Sequence, residues 1–229
     1  LPALMNEAEN VFLNTNEHIR AVVEVETRDA RFIKWMREAY PLHQYRRAAP
    51  ILHHLRAIKS AEEIRLMRRA ADITEKAFRR LLGFVRPGVM EYEIEAEIVH
   101  EFLRNASRGP AYGSIIASGA NACVLHYTSN DRPCQDGDVL LLDFGAEYAN
   151  YAADLSRSIP VNGRFSKRQR DVYEAVLRVM KFATSQLVPG NNIEDYHAAV
   201  GRQMEQDLIR LDLLNEQDVR HQDPAAPLY

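Results

Sequence analysis

The sequence predicts an α+β fold. Three observations carry that prediction. Two long segments, beginning at Ser60 and at Ser166, open on capping boxes and continue with apolar residues at helical spacing. Between them lie short apolar runs punctuated by Gly137, Gly145 and Gly163, the pattern of strands joined by turns. After the strand runs, the helical pattern of helix, Pro-Gly, helix restarts.

The elements follow in chain order. Residues 1–50 read as a mixed segment. Val11-Phe12-Leu13-Asn14 suits a short strand, and Asp29 to Tyr40 suits a helix stopped by Pro41. Arg47-Ala48-Ala49-Pro50 reads as a linker, so the main domain is expected over 51–229. Ser60 and Glu63 make the first capping box, with Ile64, Met67, Ala71, Phe78 and Leu81 recurring behind it. Pro87-Gly88 ends that helix. A second runs from about Glu91 to Asn105 with Ile94, Ile98 and Phe102 on one face. Strands are expected over Ala111 to Ala117, Ala122 to Leu125, Val139 to Phe144 and Tyr151 to Val161. The pattern then restarts. Ser166 and Gln169 form another capping box, followed by Val172, Val176, Met180, Ala183 and Leu187. Pro189-Gly190 closes this helix, and a further one runs from Asn192, with Asp195 at N3, to about Leu211. Helix, Pro-Gly, helix thus occurs twice, 102 residues apart, as an internal repeat would require.

Composition narrows the function. The 229 residues are 46% hydrophobic and 27% charged, ordinary for a soluble domain. A net charge of −3 and a pI near 6.3 argue against a nucleic-acid partner. No apolar run approaches the roughly 20 residues of a membrane span. Cys123 and Cys134 are too few for a disulfide framework, so a reducing cytoplasm is the expected compartment. The chain opens on Leu1 without a signal-peptide pattern or an initiator Met, and a fragment is expected.

Asp143 is the most informative residue. It stands inside the apolar run Val139-Leu140-Leu141-Leu142-Asp143-Phe144, and Asp154 follows eleven residues later. A carboxylate among apolar neighbours is costly unless its charge is compensated. A hairpin turning at Tyr148-Ala149 would pair Glu147 with Asn150 and set Asp143 opposite Asp154, with Cβ atoms roughly 5 Å apart. Two carboxylates that close leave one protonated unless a cation sits between them, and hard divalent cations prefer such oxygens. His126 is a further candidate, following Cys123-Val124-Leu125 and preceding Tyr127-Thr128-Ser129-Asn130.

The stretches Asn121 to Asn130, Asp136 to Gly145 and Tyr151 to Ser158 together resemble the aminopeptidase P (Xaa-Pro aminopeptidase) branch of the pita-bread metallopeptidases. The resemblance runs from about Ile58 to the chain end, and residues 1–50 look like the tail of that family's N-terminal domain. It implies two α+β halves related by a pseudo-twofold axis, in agreement with the repeat. It also implies two divalent cations, usually manganese, with Asp143 matching a chelating ligand and Asp154 a ligand to both. His126 matches the histidine that contacts substrate near the scissile carbonyl. Tyr112, in Gly109-Pro110-Ala111-Tyr112, matches a tyrosine of the pocket for the substrate's N-terminus. The family's remaining ligands, one His and two Glu, have no match in the chain, and His221 lacks their context.

The implied reaction is release of an N-terminal residue that precedes proline, by a hydroxide held between the cations. The implied partners are peptides with proline second, and a homo-oligomer is expected of the complete protein. The fragment itself is expected to be inactive. Two alternatives remain open from the sequence: a prolidase-like dipeptidase, and a non-catalytic pita-bread module that binds peptides or proteins. A methionine aminopeptidase is disfavoured by the His-Tyr-Thr run, and retention of both aspartates favours an enzyme over a module.

Overall fold

The computed structural model describes residues 1–15 and 25–221, and the chain divides into two units, Leu1–Arg68 and Arg69–Tyr229. In the first unit, α1 (Pro2–Met5) leads into β1 (Asn10–Leu13). Thr27 caps α2 (Arg28–Ala39) by accepting from the Ala30 N–H at 3.1 Å. Next, β2 (Gln44–Arg47) lies parallel to β1, with Asn10 opposite Gln44. The linker expected at Arg47–Pro50 does not form. Arg47 ends β2, and α3 (Ala49–Ala57) begins at once with Pro50 in its first turn, where a missing N–H is harmless.

The next helix, α4 (Ala61–Phe84), starts as the sequence predicts. The Ser60 N–H donates to Glu63 Oε2 at 2.7 Å, and the Glu63 N–H donates to Ser60 Oγ at 3.3 Å. Its buried stripe differs from the expected one. Ala70, Ile73, Thr74, Ala77 and Leu81 are buried, whereas Ala71 is exposed and Ile64 and Met67 are at the surface. Leu81 is buried as expected and Phe78 packs against the core, but beside Ile73 the rest of the packed face is Ala70, Thr74 and Ala77, which are small. Their size lets the helix approach the sheet, and the Thr74 hydroxyl accepts from the Ala146 N–H at 2.9 Å. Gly88, at φ 92, turns the chain into α5 (Glu91–Arg104), whose Ile94, Ile98 and Phe102 are all fully buried.

Six strands follow: β3 (Gly109–Pro110), β4 (Ile115–Ser118), β5 (Val139–Phe144), β6 (Ala146–Tyr148), β7 (Tyr151–Ala152) and β8 (Leu155–Pro160). They form two antiparallel sheets, ordered β3-β6-β7 and β4-β5-β8. The strand expected over Ala122–Leu125 is absent. A 3-10 turn occupies Gly119–Cys123, and Val124 and Leu125 are 52% and 86% exposed, so no sheet receives that apolar run. Strand β5 alternates. Leu140, Leu142 and Phe144 enter the core with Ile116 and the α4 and α5 stripes, while Val139, Leu141 and Asp143 point to the other face. Each large side chain so buried contributes about 1.5–3 kcal/mol.

The second helical pair is α6 (Lys167–Ser185) and α7 (Ile193–Arg210), followed by α8 (Glu216–His221). Ser166 and Asn192 cap α6 and α7 by accepting from the Gln169 and Asp195 N–H groups at 3.3 and 2.8 Å. Buried Asp207 ties α7 to α6 through Arg178, whose Nη2 lies 2.7 Å away. On the far side α6 leaves a cleft of about 560 Å³ lined by Val139, Leu141, Phe165, Val172 and Tyr173. Val176 and Met180 border it and remain 62% and 43% exposed.

Candidate metal centre

The two aspartates lie close together, but not in the expected register. The hairpin turns at Ala149-Asn150, where φ values of 51 and 68 give the double left-handed turn that matches strand twist. Tyr148 therefore faces Tyr151, and Asp143 faces Ser156 rather than Asp154. The expected turn was one residue early, and two shared φ-positive positions decided the outcome. Asp143 and Asp154 are instead diagonal neighbours on one face, still within reach of each other's side chains.

Gly145 brings them together. A Cβ there would sit 1.8 Å from the Ala153 carbonyl oxygen and 3.1 Å from the Asp154 N, so only hydrogen fits. Sheet β4-β5-β8 stops at Phe144 and Leu155, and sheet β3-β6-β7 resumes at Ala146 and Ala152. The aspartates stand at this break, where Asp154 belongs to neither ladder and is exposed. Asp143 is half-buried on the open face of β5, so its position is less costly than a run apolar on both sides would make it.

The Tyr112 hydroxyl joins the pair. It lies 2.7 Å from Asp143 Oδ1 and 3.2 Å from Asp154 Oδ1, so the sum, 5.9 Å, is the most that can separate those oxygens. One phenolic proton serves two carboxylates, and the shorter contact takes it to Asp143. Burial, followed by the Asp143 hydrogen bond and the charge of both carboxylates, pushes the Tyr112 pKa well above the usual phenol range. Tyr112 is thus a lasting donor. Its contact with both aspartates is more than the pocket-lining role the resemblance implied, and nothing in the local sequence announced it.

The donor set fits a hard divalent cation: carboxylate oxygens of two residues converge from one face, and the single nearby proton cannot satisfy both. Among the described residues, no group of three or more His, Cys, Asp or Glu completes such a site. His126 is exposed, with φ 54, on the loop that follows the 3-10 turn. That loop runs beside the residues after Tyr112. Thr128 Cγ2 would lie 3.7 Å from a Cβ at Gly113, and buried Asn130 donates to the Ser114 carbonyl and accepts from the Ile116 N–H, both at 3.0 Å.

The signature of metallopeptidase family M24 matches residues 65–222, which contain Tyr112, His126, Asp143 and Asp154. The chain belongs to family M24. An Xaa-Pro aminopeptidase of Haemophilus influenzae is 50% identical to this M24 chain over 165 residues, 72% of the chain and 38% of that protein. The structure of Pseudomonas aeruginosa aminopeptidase PepP is 37% identical with a TM-score of 0.78, over 88% of this chain and 48% of the other. Zinc-substituted E. coli aminopeptidase P in complex with product is 37% identical with a TM-score of 0.76, over 90% and 47%. The fold is therefore that of the pita-bread aminopeptidases, and the chain spans less than half the length of each of these relatives.

Proposed function

We propose that this chain carries part of the catalytic centre of a metal-dependent aminopeptidase that releases an N-terminal residue preceding proline. The convergence of Asp143 and Asp154 on Tyr112, inside an M24 match and beside a 50% identical Xaa-Pro aminopeptidase, carries the reading. Asp143 and Asp154 would hold the cations, manganese being the metal proposed. When bound, such a pair supplies Lewis acidity and lowers the pKa of water to near neutrality. Tyr112 keeps the Asp143 carboxylate aimed by donating to Oδ1. His126, exposed on its loop, donates to the oxygen of the scissile carbonyl as negative charge develops there. By the family resemblance, a glutamate with no match among these residues would take the released proton.

The test uses the full-length protein with added manganese, assayed on a tripeptide and a dipeptide with proline second and on a tripeptide with alanine second. The expected result is cleavage of the proline tripeptide alone, abolished by a chelator. Cleavage of only the dipeptide would make it a dipeptidase, and cleavage of none would leave a binding module. The 229-residue chain by itself is expected to bind manganese weakly and to be inactive, because two aspartates cannot complete a dinuclear shell. Calorimetry showing two tight sites on it would refute that.

A further inference from the structure

Glu91, the first residue of α5, is fully buried and has no part in the chemistry described so far. Its carboxylate accepts four hydrogen bonds. Oε1 takes the Ser118 N–H at 2.8 Å and Asn121 Nδ2 at 3.1 Å; Oε2 takes the Tyr127 hydroxyl at 2.7 Å and the Arg132 N–H at 3.0 Å. All four donors come from residues 118–132, and His126 stands near the middle of that stretch. The Glu91 N–H also donates to the Arg132 carbonyl at 2.9 Å, closing the stretch at its far end.

The stretch needs such a hub. Val124, Leu125, His126, Thr128 and Ser129 are exposed, so apolar packing does little to hold them. His126 and Asn130 have left-handed backbones, φ 54 and 46, which side chains other than glycine adopt only where the surroundings over-determine them. Hydrogen bonds to a desolvated carboxylate are among the strong ones. Burial, then the hydrogen bond to Glu91, raises the Tyr127 pKa to about 12, so that partner remains a donor throughout the neutral range. Asn130 pins the other side of the loop to β4.

We propose that Glu91 is a positioning residue: its carboxylate holds residues 118–132 in the conformation that offers His126 to substrate. The inference rests on the role given to His126 above.

The chemistry of Glu91→Gln makes the test sharp. The amide has one acceptor oxygen and one NH2. With the NH2 at Oε1, the Asn121 amide can flip but the Ser118 N–H loses its acceptor; with the NH2 at Oε2, the Tyr127 hydroxyl can turn but the Arg132 N–H loses its acceptor. Either way one backbone N–H that the carboxylate held is released. Amide exchange is measured on the full-length protein. In Glu91→Gln, exchange at Ser118 or at Arg132 is expected to accelerate about tenfold or more, and parent-like exchange at both would overturn the proposal. Kinetics are measured on the full-length protein. Glu91→Gln is expected to lower kcat about tenfold with KM changed less than about threefold. The double variant E91Q/H126A is expected to match H126A within about twofold, because Glu91 acts through His126. Tyr127→Phe, which deletes one donor only, should show a smaller loss of the same kind and covers the case in which Glu91→Gln fails to fold. Multiplicative losses in the double variant, or full activity in Glu91→Gln beside a large loss in H126A, would overturn the role of Glu91 alone. Full activity in H126A would overturn the role of His126 and this proposal with it.

Discussion

Gly145→Ala isolates what holds the aspartates together. The new methyl carbon would start 1.8 Å from the Ala153 oxygen, and contacts of that kind are not found under 3.0 Å, so the two backbones must part by at least 1.2 Å. Tyr112 reaches Asp143 and Asp154 across 2.7 and 3.2 Å, and a 1.2 Å parting of the backbones stretches that bridge. Overpacking of this kind costs about 1–3 kcal/mol of stability. A displacement near 1 Å at a catalytic group costs about a hundredfold in rate. Both quantities are measurable on the full-length protein, by urea unfolding and by manganese titration with tripeptide hydrolysis. Gly113→Ala is the control, because its Cβ would meet only Thr128 Cγ2 at an ordinary 3.7 Å. Gly145→Ala is expected to lose the stability stated above and at least about tenfold in manganese affinity, with the control near the parent. If Gly145→Ala keeps stability within about 0.5 kcal/mol and affinity within about threefold, the close passage of Gly145 and Ala153 does not set the site.

Three other expectations follow from the same geometry. Asp143→Ala and Asp154→Ala should each lower manganese-dependent hydrolysis more than tenfold, and a smaller loss in either would remove it from the ligand set. His126→Ala should retain the metal while turnover falls about a hundredfold to a thousandfold, as for loss of one oxyanion donor; metal lost on titration would make it a ligand instead. Asp207 is 2% exposed; burial raises its pKa, but hydrogen bonds from Arg178 and Gln203 outweigh that and leave it lowered. A lowered folded-state pKa stabilises above the unfolded value near 4 and ceases to as pH falls through the folded value. Asp207→Asn should therefore lose about 1–3 kcal/mol at pH 7, discounted because Arg178 is half-exposed, and show a shallower fall in urea midpoint below pH 4. Parallel pH profiles for variant and parent would refute this.

Local chemistry was the most legible part of the sequence. Ser60 with Glu63 and Ser166 with Gln169 start helices where their side chains say they should, because a cap satisfies N–H groups within three residues of itself. Asp143 was legible because a carboxylate in a strand needs a reason. Non-local geometry was harder to read. The turn at Ala149-Asn150 was missed because alanine seldom takes φ near 51, and one residue of register decides which side chains face. The buried stripe of α4 was read in part: Leu81 lies in it as expected, whereas Ala70, Thr74 and Ala77 were missed because alanine and threonine mark close approach, not hydrophobic weight. Glu91 was invisible, since an acidic residue in a first helical turn is ordinary and only the return of residues 118–132 gives it partners.

The break at Gly145 separates two duties along one hairpin. Below it β5 sends alternate side chains into the core and pairs along its length with β8, and above it β6 and β7 end in the exposed tip Ala149-Asn150. The aspartates take their positions from the root of the hairpin, so the tip is free to vary. A few residues inserted at Ala149-Asn150, or an epitope grafted there, would leave the Asp143–Asp154 spacing in space unchanged even though the eleven-residue spacing in sequence was lost. In such lineages or designs the landmark to follow is the glycine at the root, because it survives changes in loop length that would hide the paired aspartates from any fixed-spacing pattern.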